Sequence, residues 1–149
     1  MFRNLMCLFF SLLFLGNAFA GELMSKEADA YYNEAVKLQQ AYNFAGANAL
    51  YQKILFIDSS NSKWPVLILN NRGAMFAQQG DIANAEIFFL KALEIDSNCS
   101  PAKFNLGLLY DQQGKELESI KYWLKALDID LDKIRSQGFV LGKVEKPKN

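Results

Sequence analysis

The residue types that usually carry chemistry are scarce in this chain. It contains no histidine, which removes the commonest general base and the commonest metal ligand. Its two cysteines, Cys7 and Cys99, are too few for a paired-cysteine zinc site. Gly107 and Gly114 followed by Lys115 faintly suggest a phosphate loop, but the spacing is wrong and Glu116 stands where Ser or Thr is required. Asp128, Asp130 and Asp132 resemble the start of a calcium loop. The required glycine is missing, and Phe139 sits at the last acidic position. Asn98-Cys99-Ser100 fits a glycosylation acceptor only in a eukaryotic host. The expectation is therefore a protein without catalytic residues, metal or cofactor. What recurs is an amide pair. Asn33, Asn71 and Asn105 each precede a glutamine, Gln40, Gln78 and Gln112, by seven residues. Seven residues are about two helical turns, so on a helix each pair shares a face. A carboxamide donates and accepts at once, which suits it to holding a peptide backbone. The asparagines equally suit a purely structural role, and glutamines near helix ends are often merely solvated.

The elements that position these amides are set by an internal repeat. Residues 70–96, NNRGAMFAQQGDIANAEIFFLKALEID, lie over 104–130, FNLGLLYDQQGKELESIKYWLKALDID, at an offset of 34. Gly73 falls on Gly107, Phe76 on Tyr110 and Phe89 on Trp123. A period in this range means stacked helical units. A third copy runs upstream over 28–61, with Tyr31, Ala35, Leu38, Ala47 and Tyr51 at the matching places.

The pattern Leu106-Gly107-x2-Tyr110, followed by Trp123 and Ala126, resembles the tetratricopeptide repeat, a helix–turn–helix unit. The middle copy supplies Gly73, Phe76, Ala85, Phe89 and Ala92. Repeats are expected at 28–61, 66–99 and 100–133, with SKWP at 62–65 as an insertion. There are departures. Arg72 takes a leucine position, Ser119 a small-alanine position and Lys103 the tryptophan position, and no unit ends in proline. The resemblance implies an all-α fold, an α-solenoid of three helix–turn–helix repeats, with helices near 26–41, 44–57, 66–79, 82–96, 100–113 and 116–130. Gly73 and Gly107 then mark where paired helices cross too closely for a side chain. Residues 132–142, with Phe139, Val140 and Leu141, are expected to begin a C-terminal cap, which a terminal repeat requires.

Family members use the first helix of each unit to line a concave groove. Here that face would carry Tyr32, Asn33, Val36, Gln40, Leu67, Asn70, Asn71, Ala74, Gln78, Phe104, Asn105, Leu108 and Gln112, an apolar stripe flanked by amides. The family's clamp for acidic chaperone tails is absent. Tyr32, Asn70 and Phe104 stand at its lysine positions, and Val36, Ala74 and Leu108 at its second asparagine positions. The resemblance implies a non-catalytic scaffold or adaptor that binds an extended peptide or helix of another protein. A holdase-like chaperone, a regulatory subunit docking on an enzyme, and self-association remain open.

Composition bounds the rest. The chain has 149 residues, 51% apolar, with 16 basic residues against 16 acidic ones. It has no Lys/Arg cluster beyond a short basic end, which argues against nucleic acid. Residues 1–20, MFRNLMCLFFSLLFLGNAFA, place Arg3 before an apolar block and end in Ala18-Phe19-Ala20, the layout of a secretory signal peptide. Cleavage after Ala20 would leave a repeat domain at 21–142 and a polar tail at 143–149, with no integral membrane span. The expected location is exported: periplasmic in a Gram-negative cell, otherwise secreted. Cleavage would also leave Cys99 as a single thiol, a structural residue or an intermolecular partner.

Overall fold

A computed structural model describes residues 2–59, 61 and 63–130, with side chains from Ala20 onward. It is all-α. Six helices run in order: α1 (Phe2–Gln40), α2 (Phe44–Ile57), α3 (Lys63–Gln78), α4 (Ile82–Ile95), α5 (Ser100–Gln112) and α6 (Glu116–Ala126). They pack as sequential hairpins, α1 with α2, α3 with α4 and α5 with α6, and α2–α3 and α4–α5 contacts join one hairpin to the next. The expected cap and polar tail, from 132 on, lie outside the described residues.

Each hairpin turns by the same backbone device. The N–H of Asn43 donates to the carbonyl of Leu38 (2.8 Å), that of Asp81 to Phe76 (2.9 Å) and that of Lys115 to Tyr110 (2.9 Å). This pattern ends a helix with one residue in the left-handed region. That residue is Gly80 (φ 78°) in the second hairpin and Gly114 (φ 70°) in the third, but Tyr42 (φ 58°) in the first. The second helix of a hairpin starts on a side-chain cap in two cases: Asn43 accepts from the Gly46 N–H at 3.0 Å, and Asp81 accepts from the Asn84 N–H at 3.1 Å. A bond from the Asn84 side chain, together with that backbone bond, holds the Asp81 carboxyl below its usual range. Lys115 offers no such cap to α6.

Three helix bounds differ from expectation. α1 is continuous from Phe2 rather than starting near 26. α3 begins at Lys63 and absorbs most of the SKWP insertion. Pro65 sits in its first turn, where a missing N–H leaves no bond unmade. Trp64 is fully buried, and its indole Nε1–H donates to Asp58 Oδ2 at 2.7 Å. The stretch that reads as an insertion in the 34-residue period therefore contributes a large core residue. α6 stops at Ala126 rather than near 130, because Asp128 is left-handed (φ 56°) and the Ile129 N–H returns to the Leu124 carbonyl at 2.8 Å.

The core is a chain of clusters rather than one centre. Ala28, Ala35, Tyr51, Ile54, Trp64 and Ile68 fill the first hairpin and its joint with the second. Ala85, Phe89, Leu106, Leu109 and Tyr110 fill the joint of the second with the third. Cys99 is buried beside Val66, Ala92 and Ala102, which makes it a packing residue at the base of that joint. The two glycines behave as the repeat requires. A Cβ on Gly73 would stand 2.6 Å from the ring of Phe89, and one on Gly107 would overlap the Trp123 indole. Ala35, fully buried, fills the equivalent place in α1.

Candidate partner-binding face

The first helices of the three hairpins, α1, α3 and α5, are linked side by side through polar contacts between their side chains. Asn71 Nδ2 of α3 donates to the Tyr32 hydroxyl of α1 (3.1 Å) and to the Tyr51 hydroxyl of α2 (2.9 Å). Tyr51 in turn donates to Gln39 Oε1 at 3.1 Å. Asn105 Nδ2 of α5 donates to Asn70 Oδ1 at 2.9 Å, and Asn70 makes a longer 3.4 Å contact with Asn71 Oδ1. One network of amides and phenols thus runs from α1 to α5. Burial pushes the Tyr51 hydroxyl pKa up, with the Asn71 bond pulling partly against it.

The expected site residues separate into groups. Asn70 is buried, and both amide hydrogens of Asn71 are directed at tyrosine oxygens. Asn105 keeps its carbonyl oxygen outside the network. Asn33, the α1 member of the column, is exposed and takes no part in the network. The three asparagines share a repeat position but not an environment. Gln40, Gln78 and Gln112 are all exposed at the ends of their helices. Their neighbours Gln79 and Gln113 fold back onto the carbonyls of Met75 and Leu109. Tyr32 and Val36 are half-buried, Tyr32 packing against Trp64 with centroids 5.5 Å apart. Leu67 and Ala74 are also half-buried, and Leu67 lines a cleft between the second and third hairpins with Val66, Ile95 and Cys99.

Phe104 and Leu108 differ from all of these. They are 50% and 40% exposed, one turn apart on α5, and they form an apolar step on this face. Asp29 is bridged to Lys63 at 3.1 Å, joining the first hairpin to the second. Both partners are half-exposed, so the bridge adds little stability.

Several contacts carry no signal in the repeat pattern. Arg72, in place of leucine, reaches back to α2 and donates from Nε to Asn48 Oδ1 at 3.0 Å. Tyr110 donates to Glu86 at 2.6 Å, and burial followed by this carboxylate pushes the phenol well up. A third feature does have a signal, though the repeat alignment hides it: Leu117, Ile120, Leu124 and Leu127 recur at spacings of three and four along α6. Among the described residues no group of His, Cys, Asp or Glu is placed to hold a metal ion. Among them, too, no helix is long and apolar enough to cross a membrane.

Comparison with known proteins agrees with this architecture. The tetratricopeptide repeat family model matches residues 67–99 and 100–133. No curated protein matches the chain significantly. The second and third hairpins are therefore tetratricopeptide repeats, modules that imply protein–protein interaction and are typically non-catalytic. The match does not include the first hairpin.

Proposed function

We propose that this protein is an exported, non-catalytic scaffold that holds an apolar helix or extended segment of a partner protein against its α1–α3–α5 face. The first hairpin acts as a third repeat of the array. The observation that carries the reading is the exposed pair Phe104 and Leu108, set on the first helix of a matched repeat. An apolar step flanked by amides suits a partner whose side chains are apolar and whose backbone still needs hydrogen bonds. It does not suit a charged tail. The amides left for that role are Asn33, the Asn105 carbonyl and the three exposed glutamines, because Asn71 serves the joint between hairpins. Export rests on the layout of residues 1–20.

The test is a photo-crosslinking residue placed at Leu108, and in a second strain at Ile87 on α4, in the native cell. One protein captured from Leu108 and not from Ile87 supports a dedicated partner on this face. Equal capture from both positions removes the face from the proposal, and a wide spread of clients from Leu108 makes the protein a chaperone. Recovery of the protein in the cytoplasmic fraction with residues 1–20 intact would overturn export.

A further inference from the structure

Three repeat positions on the first helices are used by the array itself in α1 and α3 but not in α5. In α1 they hold Tyr32, Val36 and Gln39. Tyr32 packs on Trp64 and accepts from Asn71, and Gln39 accepts from Tyr51. In α3 they hold Asn70, Ala74 and Ala77. Asn70 is buried and accepts from Asn105, while the two alanines pack into the joint with the third hairpin. In α5 they hold Phe104, Leu108 and Asp111, all exposed. Spacings of four and three residues keep these three within about 60° of one another around the helix.

None of the three serves α5 by its own placement. Two large apolar side chains left in water gain no burial, and a carboxylate in the last turn of a helix opposes the macrodipole. Among the described residues the Asp111 carboxylate has no hydrogen bond or ion pair. Lys115, the nearest basic residue along the chain, lies over the Tyr110 ring instead, 5.3 Å from its centre. Every described basic side chain of α1 and α3 is engaged within the chain: Lys26 with Glu22, Lys37 with Glu34, Lys63 with Asp29 and Arg72 with Asn48. Lys103 of α5 lines the clefts toward α6. Asp111 is thus an uncompensated negative charge beside an exposed apolar pair.

We propose, resting on the partner-binding reading above, that Phe104, Leu108 and Asp111 form a specificity site that takes a Lys or Arg set beside the apolar anchors of the partner segment. The apolar pair holds the anchors, and Asp111 selects the charge next to them. A wholly apolar partner would cover the carboxylate without pairing it, and an acidic one would be repelled, so the site discriminates as well as attracts. The spacing follows from the helix. Asp111 lies about 4.5 Å beyond Leu108 and about 10.5 Å beyond Phe104 along α5. In an extended partner the cation therefore stands about two or three residues from an apolar anchor, and in a helical one lying along α5 about one or two turns away.

Selection of peptides from a random library displayed on phage, with the purified protein as bait, tests this. On the unaltered protein, Lys or Arg should be enriched about two- to fivefold beside the apolar residues of the selected peptides, the range an exposed ion pair supplies. The preference should fade at high salt. Asp111→Lys should reverse it in favour of Asp and Glu while apolar selection persists. This variant is expected to fold, because a cation in the last turn suits the macrodipole. The same charge preference on both proteins, or none on either, overturns the specificity site and leaves the apolar face standing. Leu108→Lys separates that result from failure of the face itself, since it should abolish selection altogether. Selection that survives Leu108→Lys, or an unaltered protein that selects no apolar peptide, overturns both the site and the face. Should Leu108→Lys lose its helical circular dichroism, Phe104→Gln, at the more exposed position, replaces it under the same criteria.

Discussion

The joint between the first two hairpins and the free side of the last one use the same repeat positions in opposite ways. Tyr51 and Trp123 both occupy the aromatic position of a second helix. Tyr51 is fully buried, packed near Tyr32, and its hydroxyl is paired on both sides. Trp123 is only partly buried. Among the described residues its indole N–H has no hydrogen-bond partner, nor has the Ser119 hydroxyl one turn before it. The difference lies in the next element of the chain. After α2 come Trp64 and α3, which close over the joint. After α6, within the described residues, the chain runs only to Asp130, with no further helix. A repeat's local fold is set by its own residues. Its burial, and the satisfaction of its polar atoms, is set by its neighbour.

That comparison is open to breaking by mutation. The largest effect is expected from Trp64→Ala, which empties a fully buried site and removes the partner of Asp58. It should lower unfolding free energy by about 3–5 kcal/mol in denaturant titration. Trp123→Ala should cost about half as much, its side chain being partly in solvent already. Equal losses would mean that the last hairpin is closed as firmly as the first. Next is the asparagine column. Asn71→Ala removes one bond from each of two phenols, those of Tyr32 and Tyr51, and should cost ~1–2 kcal/mol, against ~0.5–1 kcal/mol for Asn105→Ala, which loses one bond to Asn70. A reversed order, read by thermal melting, would move the polar joint from α1–α3 to α3–α5. The smallest effect concerns the turns. Tyr42 holds the left-handed position that Gly80 and Gly114 hold elsewhere, at a backbone cost of ~1–2 kcal/mol. Tyr42→Gly should therefore stabilise the protein by ~0.5–1 kcal/mol, after the loss of its edge contact with Phe44. Destabilisation would show that this contact outweighs the strain.

Much of the fold was legible because its signals are local. Gly73 and Gly107, 34 residues apart, announced the helix crossings, and the structure puts Phe89 and Trp123 against them. Asn43 and Asp81 are of the residue types that favour a helix N-cap, and their side chains cap the helices that start there. Trp64 was less visible, since it sits in an insertion that breaks the period. Its burial depends on α1 and α2, and no short window of sequence contains them. The left-handed Asp128 was hidden for a related reason. Leu-Lys-Ala-Leu-Asp-Ile-Asp copies the middle unit almost residue for residue, yet there Asp96 closes α4 in an extended conformation (φ −133°, ψ 98°).

The sequence by itself determined a helical repeat. Its period, small crossing residues and turn signals act through contacts within about 34 residues, close enough to be read as spacing. Only the tertiary structure decided how each repeat position is used. Asn33, Asn71 and Asn105 are alike in the alignment, but one faces solvent, one holds two tyrosines and one holds an asparagine of the preceding hairpin. A carboxamide bonds to whatever group a neighbouring helix presents, and that group is chosen by the stacking of hairpins rather than by the residues beside it in the chain.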